Sequence, residues 1–337
     1  MLNFSFKRKY LIQTGPFTLA VSTSIKDVQT YIESHYGDQL RDETPNTFID
    51  FNLELNHGKG LRRWFKQQAT FHFNHHEPFK PLPLEQANAM LEWGMNWVIA
   101  SYAHQYLIIH AATLEKDGQG IIISAPSGSG KSTLCAYLAA NGWRLLSDEL
   151  ALVDPNTLEL HGLGRPINLK NQSVDIMRGY YPTDSFSRII KDTHKGQISL
   201  VKPLNQGQYK NDKSSPLTAI PQLLIFVNYQ ADEVCYAEPV SKSVALTEVI
   251  QNSFNFGLLN QDGFSTASQL VNQADAVFIE YGQFEACESV IEEYLNAKSA
   301  NINTKGNQPQ INQDSGTSDT NRKKRTAVDV SGCTDFS

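Results

Sequence analysis

Residues 121–133, IIISAPSGSGKST, constrain the fold more than any other part of this chain. Three isoleucines and a serine read as a short buried strand. Pro126 and a Ser-Gly-Ser-Gly run then break it, and TLCAYLAA continues with helix-forming residues. Strand, glycine-rich loop, Lys-Ser-Thr and helix follow the order of a phosphate-binding P-loop. A phosphate needs several donors converging on one point. Successive backbone N–H groups at a helix N-terminus supply them, and the helix dipole favours the negative charge. The candidate nucleotide-binding residues are therefore Ala125, Pro126, Ser127, Gly128, Ser129, Gly130, Lys131, Ser132 and Thr133. Gly128 and Gly130 permit positive φ and close approach of the backbone. Lys131 would reach the β- and γ-phosphates, with the Ser132 hydroxyl on Mg²⁺. Ala125 stands where the GxxxxGK[ST] pattern has its first glycine. A plain Gly/Ser turn is the competing reading, and the correct flanking elements count against it.

The remaining features narrow the class. A chain of 337 residues predicts about two domains. The net charge of −6 argues against a general nucleic-acid binder, whose affinity rests on neutralising phosphates. Cys135, Cys235, Cys287 and Cys333 are widely spaced without a metal-ligand pattern, so they read as reduced thiols of a cytoplasmic protein. No signal-peptide core and no apolar run of membrane-spanning length is expected.

Along the chain, residues 1–82 read as a small β-rich region of unassigned role, with strands at 17–21, 48–55 and 64–73 and a helix at 24–35. His72, His75, His76 and Glu77 read as a solvated hairpin end rather than a metal site. Residues 83–297 form the expected α/β catalytic region, a mixed sheet with flanking helices. It starts with a helix at 84–105 and a strand at 106–115 that carries His110. An Asp-Gly turn leads from there into the loop strand. Residues 143–147 form a short strand with Asp148 and Glu149 at its carboxyl end, where ligands bind in open α/β sheets. Hairpin strands at 150–153 and 158–162, a loop over 178–195, strands at 221–227 and 276–281, and helices at 242–252, 265–273 and 287–297 complete it. Residues 298–337 are rich in Asn, Gln, Ser, Thr and Asp and read as a disordered tail.

The acidic pair separates phosphoryl transfer from mere phosphate binding. A carboxylate is needed to hold Mg²⁺ or to accept the proton of an attacking hydroxyl. Asp148 follows Lys131 by only 17 residues, on the next strand in sequence. His110-Ala111, the loop from Ala125 to Ser132 and Asp148-Glu149 together resemble the C-terminal domain of HPr kinase/phosphorylase, a bacterial serine kinase family. The likeness extends over roughly residues 105–200. Arg165-Pro166-Ile167-Asn168-Leu169-Lys170 and Thr193-His194-Lys195-Gly196 bring it closest to the HprK-related kinases. His161-Gly162-Leu163-Gly164 matches the phosphorylase signature only loosely.

The resemblance implies an HPr-kinase-type P-loop core. It assigns Asp148 as catalytic base, Lys131 as phosphate ligand, Ser132 and Glu149 as Mg²⁺ contacts, and His110 as a tuner of the acids. Arg165 and Lys195 become candidate substrate or phosphate contacts. The expected activity is ATP-dependent phosphorylation of a hydroxyl, by resemblance a serine or threonine of a protein partner, with Mg²⁺ as cofactor. A slowly hydrolysing nucleotide-binding scaffold and a small-molecule kinase are the alternatives. The acceptor, the reverse reaction and the oligomeric state, homo-oligomer included, stay open.

Overall fold

A computed structural model describes residues 6–306, apart from Trp64, Ser127, His194, Lys195, 205–216 and Asp232; side chains are not described for Leu61, Arg63 and 299–306. The chain is mixed α/β, with three sheets and flanking helices. One compact unit extends to Lys298.

The N-terminal sheet has six strands. Phe17–Thr23 and Phe51–His57 run parallel at its centre and the other pairings are antiparallel. The helix Lys26–His35 forms the connection that parallel pairing requires. Helix Ala87–Tyr102 packs on the same sheet. Gly94 permits that approach, because a Cβ there would lie 2.2 Å from Cε2 of Phe71. The apolar core under this sheet continues through Ile108, Leu152, Leu163 and Leu200. Thr14 Oγ1 also donates to the Leu163 carbonyl at 2.7 Å. The boundary expected after residue 82 is thus not a break in the core, since the helix beyond it covers the N-terminal sheet.

In the nine-stranded sheet, Gln119–Ser124, Thr218–Tyr229 and Asp275–Tyr281 run parallel. Their side chains alternate between two cores, as the period of two dictates. Ile121, Ile123, Ile225 and Ile279 face helices Lys131–Ala140 and Phe284–Gly306. Ile122, Leu224 and Ala276 face helices Lys242–Gln251 and Phe256–Gln273. The sheet is buried on both sides, so these strands read as unbroken apolar runs. Asp117 and Gly118, at φ 53° and 80°, form the tight hairpin turn into the first of them.

The strand expected over residues 106–115 is broken. Leu107–Ile109 pairs with Ala151–Val153, whereas Ala112–Lys116 pairs with Gln119–Ser124 and Arg144–Ser147. His110 and Ala111 cross between the two positions. The His110 N–H donates to the Asn252 carbonyl at 2.8 Å instead of joining a ladder.

The loop expected over 178–195 contains a 3₁₀ turn at Thr183–Ser185 and a strand at Ile190–Thr193. That strand joins a three-stranded sheet with Gly196–Val201 and Ile167–Lys170. The closing helix runs on to Gly306, past the expected start of the tail, and 307–337 lie outside the described residues. Among the described residues, no helix is long and apolar enough to cross a membrane.

The Gly94 contact predicts how the two halves unfold. Alanine would recover up to about 1 kcal/mol of helix propensity, so valine is the cleaner probe. Gly94→Val should lower stability by about 1–3 kcal/mol through overpacking against Phe71. Urea denaturation should show one transition, shifted alike by circular dichroism and tryptophan fluorescence. A second, unshifted transition would mean that the halves fold separately.

Candidate functional site

The loop between Ser124 and Lys131 leaves the carboxyl edge of the parallel strands, where the neighbouring strands end in Tyr229 and Tyr281. Gly128 and Gly130 have φ of 92° and 87°. Gly130 serves a second purpose, since a Cβ there would lie 2.9 Å from Cβ of Tyr229 and 3.1 Å from the Tyr281 hydroxyl oxygen. The Tyr229 N–H donates to the Ser129 carbonyl at 3.3 Å and ties the loop to the sheet. Ser127 lies outside the described residues.

Helix Lys131–Ala140 begins at once, two residues earlier than the helix formers alone suggest. The Leu134 N–H bonds the Gly130 carbonyl, so the amides of Lys131, Ser132 and Thr133 precede the first intrahelical donor. These three residues line a cavity of about 710 Å³, within the range of small-molecule sites. Its walls include the loop, His110, Glu149, Asn168, Lys170, Tyr229 and Tyr281.

The two acids diverge, as consecutive residues do. Glu149 lines the large cavity, and one of its oxygens accepts from the Asn96 amide. Asp148 is 5% exposed and lines a neighbouring cavity of about 20 Å³, roughly the space of one water, that Glu149 and Asn168 also border. Its Oδ2 accepts from the Asn168 N–H at 3.1 Å, while the buried Oδ1 has no hydrogen-bond partner among the described residues. Burial raises the Asp148 pKa above the ordinary value. The Lys131 charge opposes this, and Glu149 adds to it. Lys131 itself is largely buried, and its ammonium donates to the Asp148 carbonyl at 3.2 Å.

The other expected contacts divide. His110 lies on the cavity wall with its ring 5.6 Å from that of Phe254. Lys195 lies outside the described residues.

Arg165 is held by partners of its own. Its guanidinium is buried and pairs with Glu92 at 2.6 Å, donates to the Glu92 carbonyl at 2.8 Å, and reaches Asn96 Oδ1 at 2.5 Å. Glu92 also accepts from the hydroxyls of Tyr31 and Tyr36, at 2.8 and 2.5 Å. Burial works against the guanidinium charge, but Glu92 and Tyr36 outweigh it and raise the pKa above the ordinary value. The residue borders the small cavity and supports Asn96, which in turn supports Glu149.

Sequence reading missed Asn96, Tyr229 and Tyr281. The two tyrosines sit at carboxyl ends of parallel strands, which is where a ligand-facing residue is expected once the pairing is known. Asn96 and Glu92 were legible only as polar interruptions of an apolar helix.

Comparisons with known proteins add little. The family model described as SynChlorMet cassette protein ScmC matches residues 85–161, a stretch that includes the loop and both acids. No curated protein matches the chain. Among solved structures, the chain is similar to the Hpr(Ser) kinase/phosphatase from Coxiella burnetii. Identity is 12%, coverage is 58% of this chain and 98% of that one, and the TM-score is 0.27. At that TM-score the likeness does not bear on function.

The Arg165 pair predicts its own test. Arg165→Ala leaves Glu92 buried without its cation, which should cost about 3–5 kcal/mol in urea denaturation. Stability like that of the wild type would return Arg165 to the role of a ligand contact.

Proposed function

We propose that the chain is an ATP-dependent kinase that transfers the γ-phosphoryl group to a hydroxyl. The observation that supports this best is the convergence on one cavity of the loop, Lys131, Ser132 and Glu149, with Asp148 directly behind them. A phosphate cradle alone serves binding. A buried carboxylate beside it, with its proton affinity raised and an oxygen unpartnered, suits proton acceptance.

In this reading the loop amides and Lys131 bind the phosphates, and Lys131 gives up its contact with the Asp148 carbonyl to do so. Bound Mg²⁺ supplies neutralisation of charge on the phosphate oxygens. Ser132 and Glu149 would hold it, a set that fits an ion taking one or two carboxylates plus substrate phosphates. Asn96 fixes the Glu149 carboxylate through its amide. Asp148 accepts the acceptor's hydroxyl proton at Oδ1, through the single-water space it shares with Glu149. A serine or threonine of a protein partner is the acceptor class implied by the resemblance of the loop and acids to the HPr kinases.

Asp148→Asn tests the assignment, since it keeps size and hydrogen-bonding shape but removes the proton acceptor. With γ-labelled ATP, Mg²⁺ and lysate of the source cell, transfer should fall by at least about 10²-fold, with nucleotide affinity little changed. Comparable transfer by both proteins would remove Asp148 as base.

The raised pKa gives a second readout. Wild type loses stability as pH rises through the folded-state pKa, because the native state must ionise a buried acid. Asp148→Asn should therefore melt higher than wild type at pH 7. The gain should shrink as pH falls towards the unfolded value of about 3.9. A constant difference would contradict it.

A further inference from the structure

Tyr281 ends the strand Asp275–Tyr281 and is buried, and it is one of the residues bordering the large cavity. Its hydroxyl oxygen is buried and has no hydrogen-bond partner among the described residues. A phenol donor in that state carries an uncompensated desolvation cost, and buried tyrosine hydroxyls ordinarily find a partner. The ring itself is well used. It meets Tyr229 at 5.5 Å and Phe284 at 6.0 Å between centroids, so packing accounts for the aromatic body but not for the oxygen.

The position of that oxygen is specific. It lies 3.1 Å from where a side chain on Gly130 would begin, at the last loop residue before helix Lys131–Ala140. A Cβ at 130 would press first on Tyr229 Cβ and then on this hydroxyl, so glycine leaves both in place. Burial pushes the phenol pKa further above its ordinary value, so the group stays a neutral donor throughout the physiological range. A donor fixed beside amides that await an anion matches the needs of a phosphate oxygen.

The geometry points to Tyr281 as a nucleotide-binding residue whose hydroxyl donates to a phosphate oxygen held by the 125–132 loop. This rests on the nucleotide reading of the loop and adds a side-chain donor from a strand the motif does not include. Because the hydroxyl is unpaired in the free protein, its removal should cost binding and not folding.

Tyr281→Phe keeps the ring and deletes only the oxygen. The thermal midpoint of the free variant should equal or exceed that of wild type. By calorimetry, affinity for ATP·Mg²⁺ and for inorganic tripolyphosphate should fall by about 10-fold, the range for a lost hydrogen bond to a charged group. Affinity for adenosine should not change. Equal affinity of wild type and variant for tripolyphosphate would overturn the assignment and leave the hydroxyl to an ordered water. A lowered midpoint with a parallel affinity loss would make its role structural. Loss confined to adenosine would move the contact to the nucleoside. If wild type binds neither ATP·Mg²⁺ nor tripolyphosphate, the nucleotide reading fails and this assignment fails with it.

Discussion

The buried pair of Arg165 and Glu92 is the interaction on which the arrangement around the acids depends. Two charges removed from water are tolerated only when paired and fully hydrogen-bonded. Here the requirement recruits Tyr31 and Tyr36 from the N-terminal region, Asn96 from the next helix, and the segment entering the strand Ile167–Lys170. The same guanidinium that satisfies Glu92 fixes Asn96, whose amide then holds Glu149 at the cavity. The N-terminal β-rich region is therefore structurally tied to the candidate site. Its helix Lys26–His35 and the tyrosines near that helix complete the environment of a charge two contacts away from Glu149.

The second constraint is the parallel run of three strands. Because Gln119–Ser124, Thr218–Tyr229 and Asp275–Tyr281 point the same way, their carboxyl ends fall together. The glycine loop therefore opens beside Tyr229 and Tyr281. Sheet order, more than the loop alone, sets which side chains border the space in front of the helix. Gly130 has to meet both demands, a left-handed backbone and two tyrosines at its Cα.

What could be read beforehand follows from the range of the forces involved. The loop and its flanking strand and helix are local, so glycine spacing and periodicity were enough to place residues 119–140. The hairpin turn at Asp117-Gly118 was legible for the same reason. His110 falls outside the expected strand because residues 106–114 are mostly apolar, and periodicity does not register a chain that changes pairing partner at His110-Ala111. The resemblance makes Arg165 a candidate ligand contact, while its pairing with Glu92, 73 positions away, is a long-range contact that no local pattern carries. Which of two consecutive acids faces the cavity depends on strand direction and twist, so the divergence of Asp148 and Glu149 was beyond the sequence.

The account stands on the loop binding the phosphates of a nucleotide through Lys131. Calorimetric titration of ATP·Mg²⁺ into wild type and Lys131→Ala, with thermal midpoints recorded for both, tests this most directly. The prediction is saturable binding by the wild type and loss of most of that affinity in a variant that remains folded. Equal binding by the two proteins would contradict it.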